Sequence, residues 1–265
     1  MTTLTGKTVL LTVASRGLGV DIARALANEQ ATVVCVSRSR SELEQTCNAV
    51  NAAGGRANAI PFDITKVREF GSFTKQVHST VGPVDILVNN GGRDIISAIA
   101  NYSLAEIHSV FNTNLLATME LTRLLLPKMM ERGSGRIVNI ASLAGKKGIA
   151  FNSIYSASKA SLIMWTDAVR QKLAGSGVHI SAVCPGYVSH TGMTVDPRAI
   201  KGNPAEIIVN QNPIMEGVAK LMLAMGQIFP TVVDKLYQFL GIVNFNQFIA
   251  GNRANLKYAA DCGRY

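Results

Sequence analysis

Thr8-Val9-Leu10-Leu11-Thr12-Val13-Ala14-Ser15-Arg16-Gly17-Leu18-Gly19 is an aliphatic, β-branched run that breaks into a glycine-containing turn and opens an amphipathic stretch. The run predicts a buried strand and the stretch after it a helix. At such a junction the backbone N–H groups and the helix dipole can receive a pyrophosphate. Two glycines at a strand-to-helix turn are equally what close packing of a helix on a sheet requires. Both readings stand on this segment alone.

Outward from the turn, the same alternation repeats. Strands are predicted at Thr8 to Thr12, Thr32 to Val36, Ala57 to Pro61, Ile86 to Val88, Arg136 to Ile140 and His179 to Cys184, each followed by a turn or a helical pattern. The fold class is therefore α/β, a doubly wound parallel sheet with helices on both faces. No linker or internal repeat divides the chain, so residues 1–265 are expected to form one domain. Ligands in such sheets sit beyond the carboxyl ends of the strands, and the residues there are unusually polar.

At 265 residues and 48% hydrophobic content the chain can bury a large core. Its 26 Lys and Arg outnumber 17 Asp and Glu, yet the charges are scattered and lack the clustered basic arm or finger spacing of a nucleic-acid binder. Nucleic acid is not expected as a partner, and a phosphate-rich cofactor accounts for part of the excess. Cys35, Cys47, Cys184 and Cys262 are far apart and show no metal-binding spacing, so no metal is expected and the thiols read as reduced. With no signal peptide and no apolar run long enough to span a bilayer, the cytoplasm is the expected compartment.

The second predicted strand ends Ser37-Arg38, with no carboxylate until Glu42. A site for NAD wants an acid there to bind the adenosine ribose, whereas Arg38 together with Arg16 could clamp a doubly charged 2′-phosphate, which favours NADP(H). Two solvated surface arginines are the plain alternative. Thirteen positions after Ser142 comes Tyr155, then Lys159, one helical turn further on. A free phenol, with a pKa of about 10, is roughly three units too weak as an acid at neutral pH. A neighbouring ammonium favours the phenolate and corrects this, while the Ser142 hydroxyl can hold a substrate oxygen. Taken singly, a Tyr and a Lys four apart are more often an ordinary exposed helix face.

These segments together resemble the short-chain dehydrogenase/reductase family from residue 5 to about residue 194. The family's T-G-x-x-x-G-x-G matches Thr12 to Gly19 except at Val13; N-N-A-G appears as Asn89-Asn90-Gly91-Gly92; and the catalytic asparagine matches Asn114 within Thr113-Asn114-Leu115. The serine matches Ser142, Y-x-x-x-K matches Tyr155 and Lys159, and Pro185-Gly186 falls where the family closes over the nicotinamide. The resemblance implies a Rossmann-type sheet and a carbonyl reductase for a small-molecule substrate. In it Tyr155 transfers the proton, Ser142 orients the carbonyl, Lys159 binds the nicotinamide ribose, and Asn114 holds a relay water. Asn114 could instead satisfy backbone groups at a helix distortion. The cofactor set implied is Thr12, Ser15, Arg16, Gly17, Leu18, Gly19, Ser37, Arg38, Asp63, Ile64, Asn90, Gly91, Tyr155, Lys159, Pro185, Gly186 and Val188. A homodimer or homotetramer is the implied assembly.

Two departures stand out. Val13 replaces the first glycine of the family turn, which keeps open a second function, that of a member without turnover that persists as an NADP-binding or regulatory protein. The family's I-T-G-x-x-x-x-V-D-G-G ending is also missing, and residues 186–265 read as a substrate loop followed by divergent helices. A strand is expected at Glu206 to Asn210, and apolar residues at helical spacing recur from Val218 to Phe229 and from Val233 to Leu240. Such helices could cap a hydrophobic cleft, bury a dimer contact or touch a membrane surface, and such a stripe is also ordinary core. The expected substrate is a lipophilic ketone or an acyl-chain carbonyl. Lys146 and Lys147 could meet an anionic group on it or be solvated.

Overall fold

The computed structural model describes residues 4–186. Within them, strands β1 (Thr8–Thr12), β2 (Thr32–Ser37), β3 (Arg56–Pro61), β4 (Ile86–Asn89), β5 (Gly135–Ile140) and β6 (Val178–Val183) form one parallel sheet in the order β3-β2-β1-β4-β5-β6. The order reverses between β1 and β4, which creates the crevice where ligands of open α/β sheets bind. The six strands expected up to Cys184 are present, β1 with the expected ends and the others with ends shifted by one residue: β2 runs to Ser37, and β6 stops at Val183 rather than Cys184. The expected strand at Glu206 to Asn210, the tail helices and Val188 lie outside the described residues.

Strand alternation sorts the core into two layers. Val9, Leu11, Val33, Cys35 and Val88 face helices α1 (Leu18–Asn28) and α2 (Arg40–Ala52), meeting Ala23, Ala27, Leu43 and Val50. Leu10, Val34, Val36, Leu87 and Ile137 point the other way, onto Phe70, Phe73 and Val77 of α3 (Phe70–Val81) and onto Leu121 and Met129 of α5 (Ala117–Glu131). Trp165 and Val169 of α6 (Ser153–Lys172) pack against this second layer. Helix α4 (Leu104–Phe111) starts at a capping box, in which Ser103 accepts from Glu106 N–H and the Glu106 carboxylate accepts from Ser103 N–H.

Gly19, Ala23 and Ala27, spaced four apart, form a stripe of three small buried residues on α1. It lets the helix sit close on the sheet, and a Cβ at Gly19 would meet the Val13 carbonyl at 2.1 Å. Between α4 and α5 the chain makes a π-helical segment, Asn112–Leu116, which places Asn114 inward with no exposure at all.

Candidate active site

The turn after β1 is held from below by β4. Thr12 Oγ accepts from the N–H groups of Asn90 (2.9 Å) and Gly91 (3.2 Å), while Asn90 Nδ2 donates to the carbonyls of Thr12 (3.2 Å) and Val13 (3.1 Å). Gly91 is packed tightly, since a Cβ on it would meet Ile64 Cδ1 at 2.4 Å. Thr12, Ile64, Asn90 and Gly91 thus build the floor of the crevice, and the Asn90 amide is spent on backbone. Val13 stands at φ 54°, in the region that a β-branched residue rarely adopts. Gly17 also has φ 54° and opens α1 without a side-chain cap. The first turn of α1 therefore presents backbone rather than a side chain to an anion.

At the edge of the crevice, Ser15 Oγ lies 2.9 Å from Ser37 Oγ and joins the turns that carry Arg16 and Arg38, both of them exposed. The first carboxylate after Arg38, Glu42, reaches this corner too. Ser15 Oγ also donates to Glu42 Oε2 at 3.2 Å, because the first turn of α2 folds back over the end of β2. Asp63, just beyond β3, turns its carboxylate on its own loop and accepts from Thr65 N–H and Oγ–H.

Ser142, Tyr155 and Lys159 lie on two elements in contact beyond β5, the 3-10 turn Leu143–Gly145 with its N-cap and α6. Ser142 follows β5 and accepts from Ala144 N–H at 3.1 Å, which leaves its own hydroxyl proton to donate outward. The short 3-10 turn Leu143–Gly145 rests on α6 so closely that a Cβ at Gly145 would lie 2.6 Å from the Lys159 carbonyl carbon. Leu143 N–H donates to the Pro185 carbonyl, and Gly186 stands over the Leu143 side chain. Tyr155 and Lys159 lie on the first two turns of α6, with Lys159 Nζ 5.8 Å from the Tyr155 ring centroid. Lys159 is 2% exposed, and one of its three N–H groups donates to the Ile140 carbonyl at 2.8 Å. Burial pulls its pKa down to about 8, and the Asp94 carboxylate opposes the shift.

The Asn114 amide bonds to the backbone of the loop after β4. Its Oδ1 accepts from Arg93 N–H (2.7 Å), and its Nδ2 donates to the Arg93 carbonyl (3.0 Å) and to Ser158 Oγ (2.9 Å). Ser158 in turn donates to the Tyr155 carbonyl. Sequence reasoning missed Arg93, Asp94, Asn152 and Ser158, which tie the loop after β4 to α6. Of these, only Ser158 carried a signal, through its place one residue before Lys159.

The sequence pattern of the short chain dehydrogenase family matches residues 7–201, and the chain belongs to that family of nicotinamide-dependent oxidoreductases. It is similar to the ketoacyl reductase HetN of a Nostoc species, at 65% identity over 98% of this chain and 98% of that protein. An uncharacterized oxidoreductase of Staphylococcus aureus is 34% identical over 71% of this chain and 80% of its own length. Among solved structures, a metagenomic short-chain oxidoreductase in complex with NADP superposes with a TM-score of 0.67 at 33% identity, covering 70% of this chain and 85% of that one. No helix among the described residues is long and apolar enough to cross a membrane.

Proposed function

We propose that this protein is an NADPH-dependent reductase that converts a ketone, of lipophilic or acyl-chain character, to an alcohol. The observation that carries the reading is Lys159, an ammonium buried beside Tyr155 with two N–H donors that have no acceptor among the described residues. A buried cation is costly unless its site uses it, and two unspent donors suit the diol of a nicotinamide ribose. The uncapped turn at Gly17 suits a pyrophosphate, and Arg16 with Arg38 suits a 2′-phosphate. The relative named as a ketoacyl reductase favours an acyl-chain carbonyl, and the relative solved with NADP favours the phosphorylated cofactor.

Bound NADPH would supply the hydride. The chain's own residues do the rest. The Ser142 O–H, oriented by the bond from Ala144, holds the carbonyl oxygen. Tyr155 gives that oxygen its proton, and the Lys159 charge favours the phenolate left behind. Asn114 fixes the loop after β4 against α6 and so holds the wall of the site.

Replacing Tyr155 with Phe keeps the ring and removes the proton donor. Turnover of NADPH with a ketone panel should fall at least ~10²-fold while NADPH still binds, the usual size of acid catalysis. Unchanged turnover would remove Tyr155 from the mechanism. One observation favours the second reading, a binding protein without turnover: the backbone strain at Val13. Wild-type protein that binds NADPH yet reduces nothing across a broad carbonyl panel would establish it.

A further inference from the structure

The described residues contain two buried side-chain polar atoms without a hydrogen-bond partner, Asp94 Oδ1 and Asn152 Oδ1. They belong to two side chains already joined, since Asn152 Nδ2 donates to Asp94 Oδ2 at 3.0 Å. Both orphans are acceptors, and an unsatisfied buried acceptor is costly. A single proton on Asp94 Oδ1, donated to Asn152 Oδ1, would satisfy both. A carboxylic acid has one O–H to donate and one oxygen to accept, which is the complement of a primary amide.

We propose that Asp94 carries a proton and closes with Asn152 a two-bond acid–amide clasp at the foot of α6, the helix that bears Tyr155. In it the Asp94 Oδ1–H donates to Asn152 Oδ1 while Asn152 Nδ2–H continues to donate to Asp94 Oδ2.

Three further observations bear on the clasp. Asn152 is the N-cap residue of α6, the position where an asparagine ordinarily accepts from its own helix, yet it makes no side-chain cap bond. Its side chain is diverted to Asp94. Phe151, immediately before it, is held at φ 60° in a conformation rare for an aromatic residue. The strain is fastened by the loop that carries Asp94, because Ser97 N–H donates to the Phe151 carbonyl at 2.8 Å and the Tyr102 hydroxyl donates to the Ile95 carbonyl. Finally, burial lifts the Asp94 carboxyl to about 6, against the pull of the Asn152 amide, the Ile95 N–H and the Lys159 charge. Among the described residues Lys159, on α6, is the charge that acts on it; Arg93, next to it in the chain, is exposed to solvent, and Cys184 beyond β6 acts on Lys159 rather than on Asp94.

Asp94 is thus a positioning residue, closed in acid and open above about pH 6, acting through Asn152 three residues before Tyr155. The link to Tyr155 rests on the function proposed above; the clasp does not. Because the folded carboxyl titrates higher than the unfolded one, its contribution to stability is fully present below about pH 4 and is lost as pH rises through about 6.

The test uses the full chain and Asp94→Asn, whose amide offers a donor and an acceptor at every pH and imitates the closed clasp. Carbon-13 NMR of the wild-type Asp94 carboxyl should show a midpoint near 6. The variant should melt with the wild type at pH 4 and about 5 to 10 °C above it at pH 8. The wild-type to variant ratio of kcat/KM for a reduced ketone should change through the same pH. A midpoint near the ordinary value of about 4, or a melting difference that is the same at both pH values, would overturn the clasp. A kcat/KM ratio flat with pH would overturn the positioning role. Should the variant fail to fold, the wild-type titration alone decides. Should no ketone be reduced, the function proposed above fails while titration and melting still judge the clasp.

Discussion

Val13 occupies the place of a glycine and adopts a glycine's backbone, with φ 54°. The Asn90 amide grips its carbonyl and Gly19 presses on the same oxygen, so the turn is fixed by its neighbours and valine is carried along. Such strain costs about 1 to 3 kcal/mol. Val13→Gly should therefore raise thermal stability, less the ~0.4 to 1 kcal/mol by which glycine frees the unfolded chain, and should tighten NADPH by no more than the strain itself. Melting curves with and without NADPH separate the two effects; weaker binding by the glycine variant would mean that the valine side chain contributes to the site. The adenosine corner holds opposed charges, with Arg16 and Arg38 on one side and Glu42 tied to Ser15 on the other. Arg38→Asp should turn the preference toward NADH, and Glu42→Gln should tighten NADPH several-fold, since repulsion between exposed charges is worth about 1 kcal/mol or less. Fluorescence titration with both cofactors checks each. Equal NADPH binding by the Glu42 variant would show that the carboxylate swings away when phosphate arrives.

At the scale of elements, the crevice depends on α1 lying close to the sheet. Gly19→Ala would set a Cβ 2.1 Å from the Val13 carbonyl and 2.9 Å from the Ala14 Cα, both backbone atoms that cannot yield. The helix must shift, and we expect a loss of at least ~1 to 3 kcal/mol in chemical denaturation together with weakened NADPH binding. The same substitution at Gly71, where nothing lies within 4 Å, should stabilise α3 and serves as the control. Strands and the doubly wound class of the sheet were legible because β-branched runs separated by helical patterns give parallel strands covered by helices. The turns that carry chemistry were legible through glycines and through a Tyr and a Lys one helical turn apart. What escaped was everything long-range between loops. Asp94 and Asn152 are 58 positions apart, Arg93 and Asn114 are 21, and no periodicity links a residue after β4 to the foot of α6. Glu42 was visible as an acid near Arg38, yet its direction depends on how α2 departs from β2, which sequence spacing does not encode.

At the scale of the whole molecule, the burial of Lys159 sets a large electrostatic stake. Its pKa moves from 10.5 to about 8, so activity and stability should run in opposite directions with pH. A lysine depressed in the folded state binds its proton more weakly than in the unfolded chain, and stability should therefore rise between about pH 8 and pH 10.4, by up to about 3 kcal/mol. Ketone reduction should decline over the same interval, because the ammonium that aids Tyr155 is discharged. Opposing slopes of kcat/KM and of melting temperature above pH 8 are the expected signature; activity that climbs through this range would place the needed charge elsewhere. The turn Leu143–Gly145 meets α6 at the backbone of Lys159 and Ala160, with no side chain between them. Contact of main chain on main chain has no rotamers to absorb motion. When thermal breathing slides or tilts α6 on the sheet, the Ser142 turn must travel with it, and the hydroxyl that grips the substrate keeps station with the phenol that protonates it.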